Sequence, residues 1–368
     1  MFKGNGISKE QLTDTGEPCI LYGELYTKYK SEVISDIFSK TDIDTRKLVK
    51  SKANDVIIPC SGETAVDIAT ARCVPYDNIL LGGDLNIIRL YDCDGSFMSY
   101  QLNGKRKYDL AKVAQGVSVV HLYGDHLKGV KTYNPCLEEQ KKIAKLLSLL
   151  DERIATQNKI IEDLKKLKSA ISKLLFAQKP NGWNRLDTLF SKGKAGGTPT
   201  ATNKEYYNGE IPFLSINDIT KQGKYVRCTE KYMSQSGLEN SSAWVVPKYS
   251  LIMSMYASVG LVTINEMPLA TSQAMFAMQL KDKNLLDYLY YYLSYFKYRH
   301  IHKYLETGTQ SNINADIVRG IMIPTYGYSH NIEIASTLQG VDAKIDNELS
   351  VLEQLHRQKN YFLSQMFI

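Results

Sequence analysis

A pattern of apolar residues spaced alternately four and three positions apart occurs twice in this chain and constrains its fold more than any other feature. The first copy, within 137–178, consists of Ile143, Leu147, Leu150, Ile154, Gln157, Ile161, Leu164, Lys168, Ile171 and Leu175. The second copy lies 191 positions later and consists of Ile334, Leu338, Val341, Ile345, Glu348, Leu352, Leu355, Lys359, Phe362 and Met366. In each copy, eight of the ten positions are apolar, and the polar residues fall at the same two places. A 3.5-residue repeat held over more than four heptads predicts a coiled-coil seam rather than an ordinary surface helix.

The two helical segments belong to an internal duplication. Identical residues recur at the offset of 191, namely Ala144/Ala335, Asp151/Asp342, Glu162/Glu353, Lys168/Lys359 and Phe176/Phe367. We therefore interpret the chain as two copies of one unit, each ending in a long helix. Two copies of 191 residues make 382, whereas the chain has 368, and 183–190 have no counterpart before Met1. We expect the first globular part to lack its opening strand, unless something else supplies it.

The repeat divides the chain into a first head (1–136), a first helix (137–180), a second head (181–326) and a second helix (327–368). In the first head, apolar runs between turn residues predict strands at 18–22, 55–60, 78–81 and 85–90, and a helix over 97–113. In the second head, strands are predicted at 209–214, 250–253 and 271–276, and a helix over 285–304. Both heads are therefore expected to be mixed α/β (α+β) domains.

Composition indicates a soluble globular protein, with 43% hydrophobic and 23% charged residues. The sequence contains no run of 18 apolar residues and no signal-peptide core, so we expect a cytoplasmic protein. The six cysteines form no CxxC pair and no ligand spacing with histidine, which predicts reduced thiols rather than a metal site. The formal net charge of +6 permits nucleic-acid binding without requiring it.

Three segments of the sequence are distinctive. They read Gly209-Glu210-Ile211-Pro212-Phe213-Leu214, Thr307-Gly308-Thr309-Gln310-Ser311-Asn312-Ile313 and Leu137-Glu138-Glu139-Gln140-Lys141-Lys142-Ile143-Ala144. With the order head, helix, head, helix, the chain resembles the DNA-specificity subunit of a type I restriction–modification enzyme. The resemblance covers essentially the whole chain apart from the predicted missing strand. It implies two target-recognition domains that each read half of a bipartite DNA site, separated by an antiparallel two-helix coiled coil with internal pseudo-twofold symmetry.

The same resemblance implies a non-catalytic chain that works with partners. These would be double-stranded DNA, two methyltransferase subunits that use S-adenosylmethionine to methylate adenine N6, and restriction subunits that use ATP and magnesium. The chain itself is expected to bind no cofactor and no metal. The resemblance is also compatible with a homodimer of the isolated chain.

No residue pattern predicts a catalytic site. The segment Asn134-Pro135-Cys136-Leu137 is similar to the Asn-Pro-Pro-Tyr segment of adenine methyltransferases, but it lacks the second proline and the aromatic residue that stacks a flipped base. No glycine-rich loop of Walker or Rossmann spacing occurs. Two alternatives to DNA reading stay open: an interaction scaffold whose heads do not read DNA, and a silent, truncated specificity cassette.

Three groups of residues are predicted to contact DNA. Basic residues at a repeated position suit phosphate contact, and they are Lys105, Arg106, Lys107, Lys297, Arg299 and Lys303. Polar loop residues after the first strand of each head suit base readout, and they are Tyr22, Glu24, Tyr26, Lys28, Ser215 and Asn217. A glycine-flanked polar loop adds Gln310 and Asn312. The alternative for each group is an ordinary solvated surface, and the tyrosines between 288 and 298 are expected to be mostly core.

The helices also predict a spacing and a register. A helix of about 38 residues spans roughly 55–60 Å, so its length would set the gap between two half-sites on DNA, where one turn is about 34–36 Å. An antiparallel register in which facing residue numbers add to 516 places Gln157 opposite Lys359 and Lys168 opposite Glu348. The alternative is that these polar side chains extend to water.

Overall fold

The structure is a computed structural model that describes residues 1–116, 118–304 and 312–367. The chain divides into two compact units. Unit 1 consists of Met1–Ile161 with Asn347–Ile368, and unit 2 consists of Glu162–Asp346. Each unit therefore combines one head with part of both long helices.

Unit 1 contains short strands and helices around two sheets. Its strands are β1 (Phe2–Lys3), β2 (Leu12–Thr13), β3 (Glu17–Ile20), β4 (Ser39–Thr41), β5 (Asp55–Pro59), β6 (Ser61–Gly62), β7 (Arg72–Val74), β8 (Leu80–Leu81), β9 (Leu85–Ile88) and β10 (Val120–His121). Its helices are α1 (Glu24–Thr27), α2 (Ala65–Ile68), α3 (Gly95–Asn103), α4 (Lys107–Lys112), α5 (Gly124–Lys128) and the start of α6 (Leu137–Phe176). The sheets have the strand orders β1-β9-β5-β7 and β2-β4-β3-β8, and β6 pairs with β10.

Unit 2 follows with a similar set of elements. Its strands are β11 (Gly182–Arg185), β12 (Phe190–Ala195), β13 (Tyr207–Leu214), β14 (Tyr225–Val226), β15 (Lys231–Met233), β16 (Leu251–Ser254), β17 (Val262–Asn265), β18 (Ala270–Thr271), β19 (Met275–Leu280) and β20 (Met322–Thr325). Its helices are α7 (Ile216–Gln222), α8 (Gln235–Glu239), α9 (Leu286–Arg299), α10 (Ala315–Gly320) and the first half of α11 (Tyr328–Gln365). The strand orders are β12-β19-β16-β17-β14 and β15-β13-β18, and β11 pairs with β20.

The two heads share one plan, which confirms the predicted internal repeat. In the first head the run β1-β9-β5-β7 is antiparallel and β3 pairs in parallel with β8. In the second head β12-β19-β16-β17 is antiparallel and β13 pairs in parallel with β18. The strand β20 has no equivalent, because the residues 191 positions before it, 131–134, belong to no strand.

In one central strand of each head, successive side chains point to opposite faces of the sheet, and both faces are covered. In β5, Val56 and Ile58 pack with the helical side of the head, whereas Ile57 packs with Ile20 and Leu25. In β16, the side chains of alternate residues likewise point to opposite faces. One set packs in the core that includes α9, and the other packs in the core that includes α7. Successive strand side chains point to opposite faces, so an unbroken apolar run is buried on both.

The prediction of a single helix over 97–113 is wrong, because the helix is interrupted at Gly104. Asp94 caps α3 by accepting a hydrogen bond from the Phe97 amide at 2.8 Å, and the helix ends at Asn103. A Cβ on Gly104 would lie 2.8 Å from the Leu363 carbonyl oxygen, so only glycine permits this close backbone approach. The predicted contact residues Lys105 and Arg106 therefore lie in a turn rather than on a helix face.

Within each unit, segments of α6 and α11 pack antiparallel, as predicted. In unit 1, Asp151 contacts Lys359 and Gln157 contacts Glu348, so rising numbers in one helix meet falling numbers in the other. The predicted register is wrong, however, because Gln157 does not face Lys359. Its Nε2 donates to the Glu348 main-chain oxygen at 3.0 Å and to the Glu348 carboxylate at 2.5 Å.

The lysines of the seam pair with carboxylates on the facing helix rather than with the polar residues of the predicted register. Lys359 pairs with Asp151 at 2.6 Å, and in unit 2 Lys168 pairs with Asp342 at 2.5 Å. A buried ammonium group without a counter-charge is costly, so a register that leaves each lysine beside an aspartate is favoured. No helix within 1–116, 118–304 and 312–367 is both long enough and apolar enough to cross a bilayer.

Candidate nucleic-acid interface

A buried carboxylate closes the turn after β3 in the first head and after β13 in the second. Beyond β3, the Glu24 carboxylate accepts a hydrogen bond from the Leu21 amide at 3.0 Å. Beyond β13, the Asp218 carboxylate accepts one from the Ser215 amide at 2.8 Å, while the Ser215 hydroxyl accepts from the Asp218 amide at 3.2 Å. Both acids are buried, at 6% and 1% exposure, so they cap the turn as part of the fold.

The prediction that polar residues after β3 form a loop is therefore wrong. Glu24 begins the short helix α1, and Lys28 is held by the Glu24 carboxylate at 2.7 Å and by the Ser39 hydroxyl at 2.9 Å. The Tyr26 hydroxyl donates to the Ser61 carbonyl at 3.1 Å, and burial raises the pKa of this phenol. Tyr22 is exposed at the surface of the turn. The role of these residues in DNA contact stays a prediction.

In the second head the corresponding residues form a small surface network. Ser215 is half-buried as the cap of α7, whereas Asn217 is exposed at the surface beside it. The Asn217 amide donates to the Glu230 carboxylate at 3.1 Å, and Lys221 pairs with the same carboxylate. Base readout by Asn217 would require it to exchange this partner for a base edge.

The basic residues of the first head lie in the turn between α3 and α4. Lys105 is exposed and Lys107 is half-buried. Arg106 is half-buried, with its Nη1 atom 3.5 Å from the Asp109 carboxylate. Because Gly104 contacts the Leu363 backbone, this turn lies beside the end of α11. It is thus available for phosphate contact near the helices of unit 1.

The basic residues Lys297, Arg299 and Lys303 of the second head lie at the end of α9 and in the segment that follows it. Within residues 1–116, 118–304 and 312–367, the structure records no ion pair for Lys297, Arg299 or Lys303. Burial lowers the pKa of the His300 imidazole, and the positive charges of Lys303, His302 and Arg299 lower it further. Burial also lowers the pKa of Lys297, whose Nζ lies 5.4 Å from the centre of the exposed Tyr298 ring. The local potential is therefore positive.

A loop after β16 joins this cluster to the predicted polar segment. A Cβ on Gly260 would lie 3.2 Å from Cγ of Lys297, and the Ile313 amide donates to the Met255 carbonyl at 3.1 Å. The loop therefore places Lys297 and the half-buried Asn312 on one side of the head. Gln310 lies outside the described residues.

We call the set Tyr256, Lys297, Arg299, Lys303 and Asn312 the strand-end surface. Tyr256 is 41% exposed, and the next residue, Ala257, has a φ of +55°. Positive φ is uncommon for a residue with a Cβ and is enriched at functional loops. Tyr256 was not among the predicted contacts, although a tyrosine followed by small residues just beyond a buried strand is a usable signal.

The chain is similar to proteins of one known family. A family model described as "Type I restriction modification DNA specificity domain" matches residues 2–166 and again residues 180–357. These two matches take in both heads and most of both long helices. The chain belongs to this family.

Relatives in the DNA-specificity family match the chain to different extents. The MjaIX specificity subunit of Methanocaldococcus jannaschii is 26% identical over 46% of this chain, and the chain spans only 40% of its length. The MjaVIII specificity subunit of the same organism is 23% identical and is aligned over 93% of this chain and 84% of its own length. The crystal structure of the S subunit from M. genitalium shares the fold, with a TM-score of 0.60 and 17% identity, over 100% of this chain and 93% of that one.

In this member of the DNA-specificity family, a repeated contact joins each head to its helix segments. In unit 1 the Tyr100 hydroxyl donates to Asp151 at 2.7 Å, and Lys359 pairs with Asp151 and, at 2.5 Å, with Glu32. Burial raises the pKa of Tyr100, with Asp151 adding to the effect, so the phenol stays protonated. A head anchored by a hydrogen bond and ion pairs is held in a defined orientation on its own helix segments.

Unit 2 repeats the contact with equivalent residues. The Tyr291 hydroxyl donates to Asp342 at 2.7 Å, and Lys168 pairs with Asp342 while lying 5.3 Å from the Tyr291 ring centre. In unit 1 the additional residue is the acid Glu32, whereas in unit 2 it is a lysine. Lys224 lies 3.0 Å from the Tyr291 hydroxyl and pairs with Asp287. The tyrosine–aspartate–lysine core is thus common to both heads, and its surroundings differ.

Proposed function

We propose that this chain is the DNA sequence-specificity subunit of a type I restriction–modification complex. It would recognise a bipartite DNA site and position methyltransferase and restriction subunits there. The observation that carries the proposal is the repeated unit: two heads of one plan, each anchored to antiparallel segments of the same two long helices, in a chain of the DNA-specificity family. One head for each half-site accounts for the duplication.

The strand-end surface is the proposed DNA contact of the second head. Three cations without acidic partners among the described residues suit phosphate contact, which supplies much of the affinity of DNA-binding proteins. The exposed ring of Tyr256 and the amide of Asn312 suit contact with base edges. In the first head, the predicted contacts Tyr22, Lys28 and Lys105 are exposed, and Tyr26, Arg106 and Lys107 are half-buried.

We assign the catalytic reactions to partner subunits rather than to this chain. Two methyltransferase subunits would use S-adenosylmethionine to methylate adenine N6, and restriction subunits would use ATP and magnesium. This chain would be non-catalytic, would bind no cofactor itself and would act in the cytoplasm. The name of one relative describes a specificity subunit of a type I restriction enzyme, which supports such an assembly.

The test is to assemble the full chain with its methyltransferase partner and measure duplex binding as salt is raised. Counterion release predicts that binding weakens steeply between about 50 and 200 mM salt. Mapping N6-methyladenine in DNA exposed to the complex should reveal a motif with two specified parts and a gap. A complex that assembles but methylates no defined motif would support the interaction scaffold or the silent cassette instead.

A further inference from the structure

A short turn joins two strands at the same place in each head. In the second head it is the β18–β19 turn, residues 272–274, and in the first head it is the β8–β9 turn, residues 82–84. The strand before the turn pairs in parallel with β13 in the second head and with β3 in the first. Each turn therefore lies at the end of the strand pair that is common to both heads.

Two neighbouring segments hold the main chain of the β18–β19 turn. The Met255 amide donates to the Ala274 carbonyl at 2.7 Å, and the Gly196 amide donates to the Met275 carbonyl at 3.0 Å. A Cβ on Gly196 would overlap the Thr271 carbonyl oxygen, so only glycine permits this close approach. The position of the turn is thus fixed by main-chain contacts that do not involve its side chains.

The first head repeats these contacts at equivalent residues. The Cys60 amide donates to the Asp84 carbonyl at 2.7 Å, and the Gly4 amide donates to the Leu85 carbonyl at 2.9 Å. A Cβ on Gly4 would overlap the Gly82 carbonyl oxygen, so glycine is again required. The side chains of the two turns differ, however, because 82–84 reads Gly-Gly-Asp and 272–274 reads Ser-Gln-Ala. A fixed main chain that carries different polar side chains suits recognition of different ligands.

The exposed side chain of the β18–β19 turn is Gln273. Among the residues that the structure describes, no hydrogen bond is recorded for its amide group. Met255, which holds the turn, also accepts a hydrogen bond from the Ile313 amide at 3.1 Å, and Tyr256 follows it directly. Gln273 therefore lies beside the strand-end surface. A glutamine amide donates and accepts at once, which matches N7 and N6 of adenine in the major groove.

The exposed side chain of the β8–β9 turn is Asp84, whose φ is +58°. Its Oδ2 atom accepts a hydrogen bond from the Ser61 hydroxyl at 2.9 Å, and the Ser61 carbonyl accepts one from the Tyr26 hydroxyl at 3.1 Å. The predicted contact residue Tyr26 is thus linked to Asp84 through Ser61. A carboxylate can only accept hydrogen bonds, so at a base edge it selects an exocyclic amino group.

We propose that these two turns read base edges and that Gln273 and Asp84 are specificity-determining residues of their heads. Gln273 recognises adenine through N6 and N7. Asp84 recognises a base that presents an amino group in the major groove, which is cytosine or adenine. This inference rests on the proposed function, because it assigns base readout within the same DNA interface. Neither residue was among the predicted contacts.

The test maps N6-methyladenine in DNA exposed to the full chain assembled with its methyltransferase partner. Gln273→Ala removes both hydrogen bonds to adenine, so the preference for adenine at one position of one half-site should fall by about tenfold or more. The other half-site and the salt dependence of binding should stay unchanged, because no charge is altered. Gln279→Ala is the matched control, since Gln279 lies roughly 20 Å away along β19, and it should keep the wild-type motif.

A second substitution at the same position tests the hydrogen-bond pattern. Gln273→Glu keeps the size of the side chain but replaces its donor with an acceptor, so the preferred base at that position should change from adenine to cytosine. Because Gln273 is exposed, both variants should melt at the wild-type temperature and bind the methyltransferase partner as the wild type does.

The first head is tested with Asp84→Gly, which removes the carboxylate and suits the positive φ. Discrimination at one position of the other half-site should fall by about tenfold or more. Mapping the wild-type motif shows whether that position is cytosine or adenine. Asp92→Gly is the matched control, because Asp92 is also exposed, has a φ of +52° and lies beyond the other end of β9.

The outcomes separate this inference from the proposed function. A wild-type complex that methylates no defined motif would contradict the proposed function itself. If the wild type yields a bipartite motif but Gln273→Ala or Asp84→Gly leaves the base preference at every position unchanged, the turn of that head reads no base. That result would overturn the inference for that head and leave the proposed function in place.

Discussion

Burial distinguishes the two lysine–aspartate pairs that anchor the heads. The side chains of Lys359, Asp151 and Glu32 are 11%, 13% and 10% exposed, whereas those of Lys168 and Asp342 are 28% and 23% exposed. Solvent screens the more exposed pair, and two carboxylates rely on Lys359. The lysine at this repeat position should therefore contribute more to stability in unit 1 than in unit 2.

Replacing each of these lysines should lower the free energy of unfolding by different amounts. Lys359→Met leaves two buried carboxylates without their cation and should lower the free energy of unfolding by about 3–5 kcal/mol. Lys168→Met, the matched variant, should cost roughly 1 kcal/mol because its pair is better solvated. Urea unfolding of the full chain, followed by hydrogen exchange in each head, measures both effects. Equal destabilisation by the two variants would contradict the role assigned to burial.

The same lysine predicts a pH dependence at alkaline pH. Burial lowers the pKa of Lys359, but Glu32 and Asp151 raise it by more, so the folded-state pKa lies above the ordinary value. A raised lysine pKa stabilises the fold below the unfolded-state pKa of about 10.4, and this stabilisation disappears as pH rises through the folded-state pKa. The stability difference between wild type and Lys359→Met should therefore be constant from about pH 7 to 9 and shrink above about pH 10.5. Urea titrations across this range check the sign.

At the strand-end surface, individual basic residues should contribute to the salt dependence of DNA binding. The double variant Lys297→Ala/Arg299→Ala should reduce the slope of log affinity against log salt by about two, because each of the two cations is expected to neutralise one DNA phosphate. Lys283→Ala is the control, because Lys283 is an exposed lysine beyond the other end of β19, roughly 20 Å along the strand. Filter binding at several salt concentrations measures the slope. An unchanged slope would remove this surface from the DNA interface.

At the scale of elements, the long helices carry a polar pair at equivalent positions. Gln157 and Glu348 are 191 residues apart and hydrogen-bonded to each other, and both are buried. A polar pair inside an apolar seam disfavours shifted registers, in which one partner would be buried alone. The pair therefore specifies how α6 and α11 align in unit 1.

Shortening both helices tests whether their length sets the DNA gap. Deleting 154–160 together with 345–351 removes one heptad around the polar pair and leaves both lysine–aspartate pairs in matching register. Seven residues correspond to about 10 Å of helix, so the gap in the methylated motif should shorten by about three base pairs. Methylation mapping reports the gap, and an unchanged gap would refute the idea. Deletion from one helix alone is the control and should disrupt the helix pairing.

At the scale of the whole molecule, each head should read its half-site independently. The heads share a plan but differ in their loops and surface charge, whereas the long helices keep their seam pattern. Replacing 183–326 with the corresponding head of another member of the family should change one half of the methylated motif only. The helix contacts of Asp342 and Tyr291 must be kept in the graft, since they anchor this head. A change in both halves would show that readout is not modular.

Much of the architecture was predictable because its signals are local. The heptad seam, the duplication and the strands at 55–60 and 250–253 follow from periodicity and from apolar runs, and the structure confirms them. Of the tyrosines of α9 that were expected to be mostly core, Tyr288, Tyr291 and Tyr292 are almost fully buried, whereas Tyr298 is exposed. Repetition strengthened these predictions, since each pattern occurs twice.

The sequence by itself thus determined where the helices and principal strands lie and that the chain is a double unit, because side-chain periodicity acts over a few residues. Only the tertiary structure decided which side chains meet. Lys359 contacts Glu32, which lies 327 residues away in the sequence, and Glu24 is buried as a turn cap. Gly104 interrupts a helix because Leu363 approaches it. Such contacts depend on burial and charge pairing between segments that no local pattern relates.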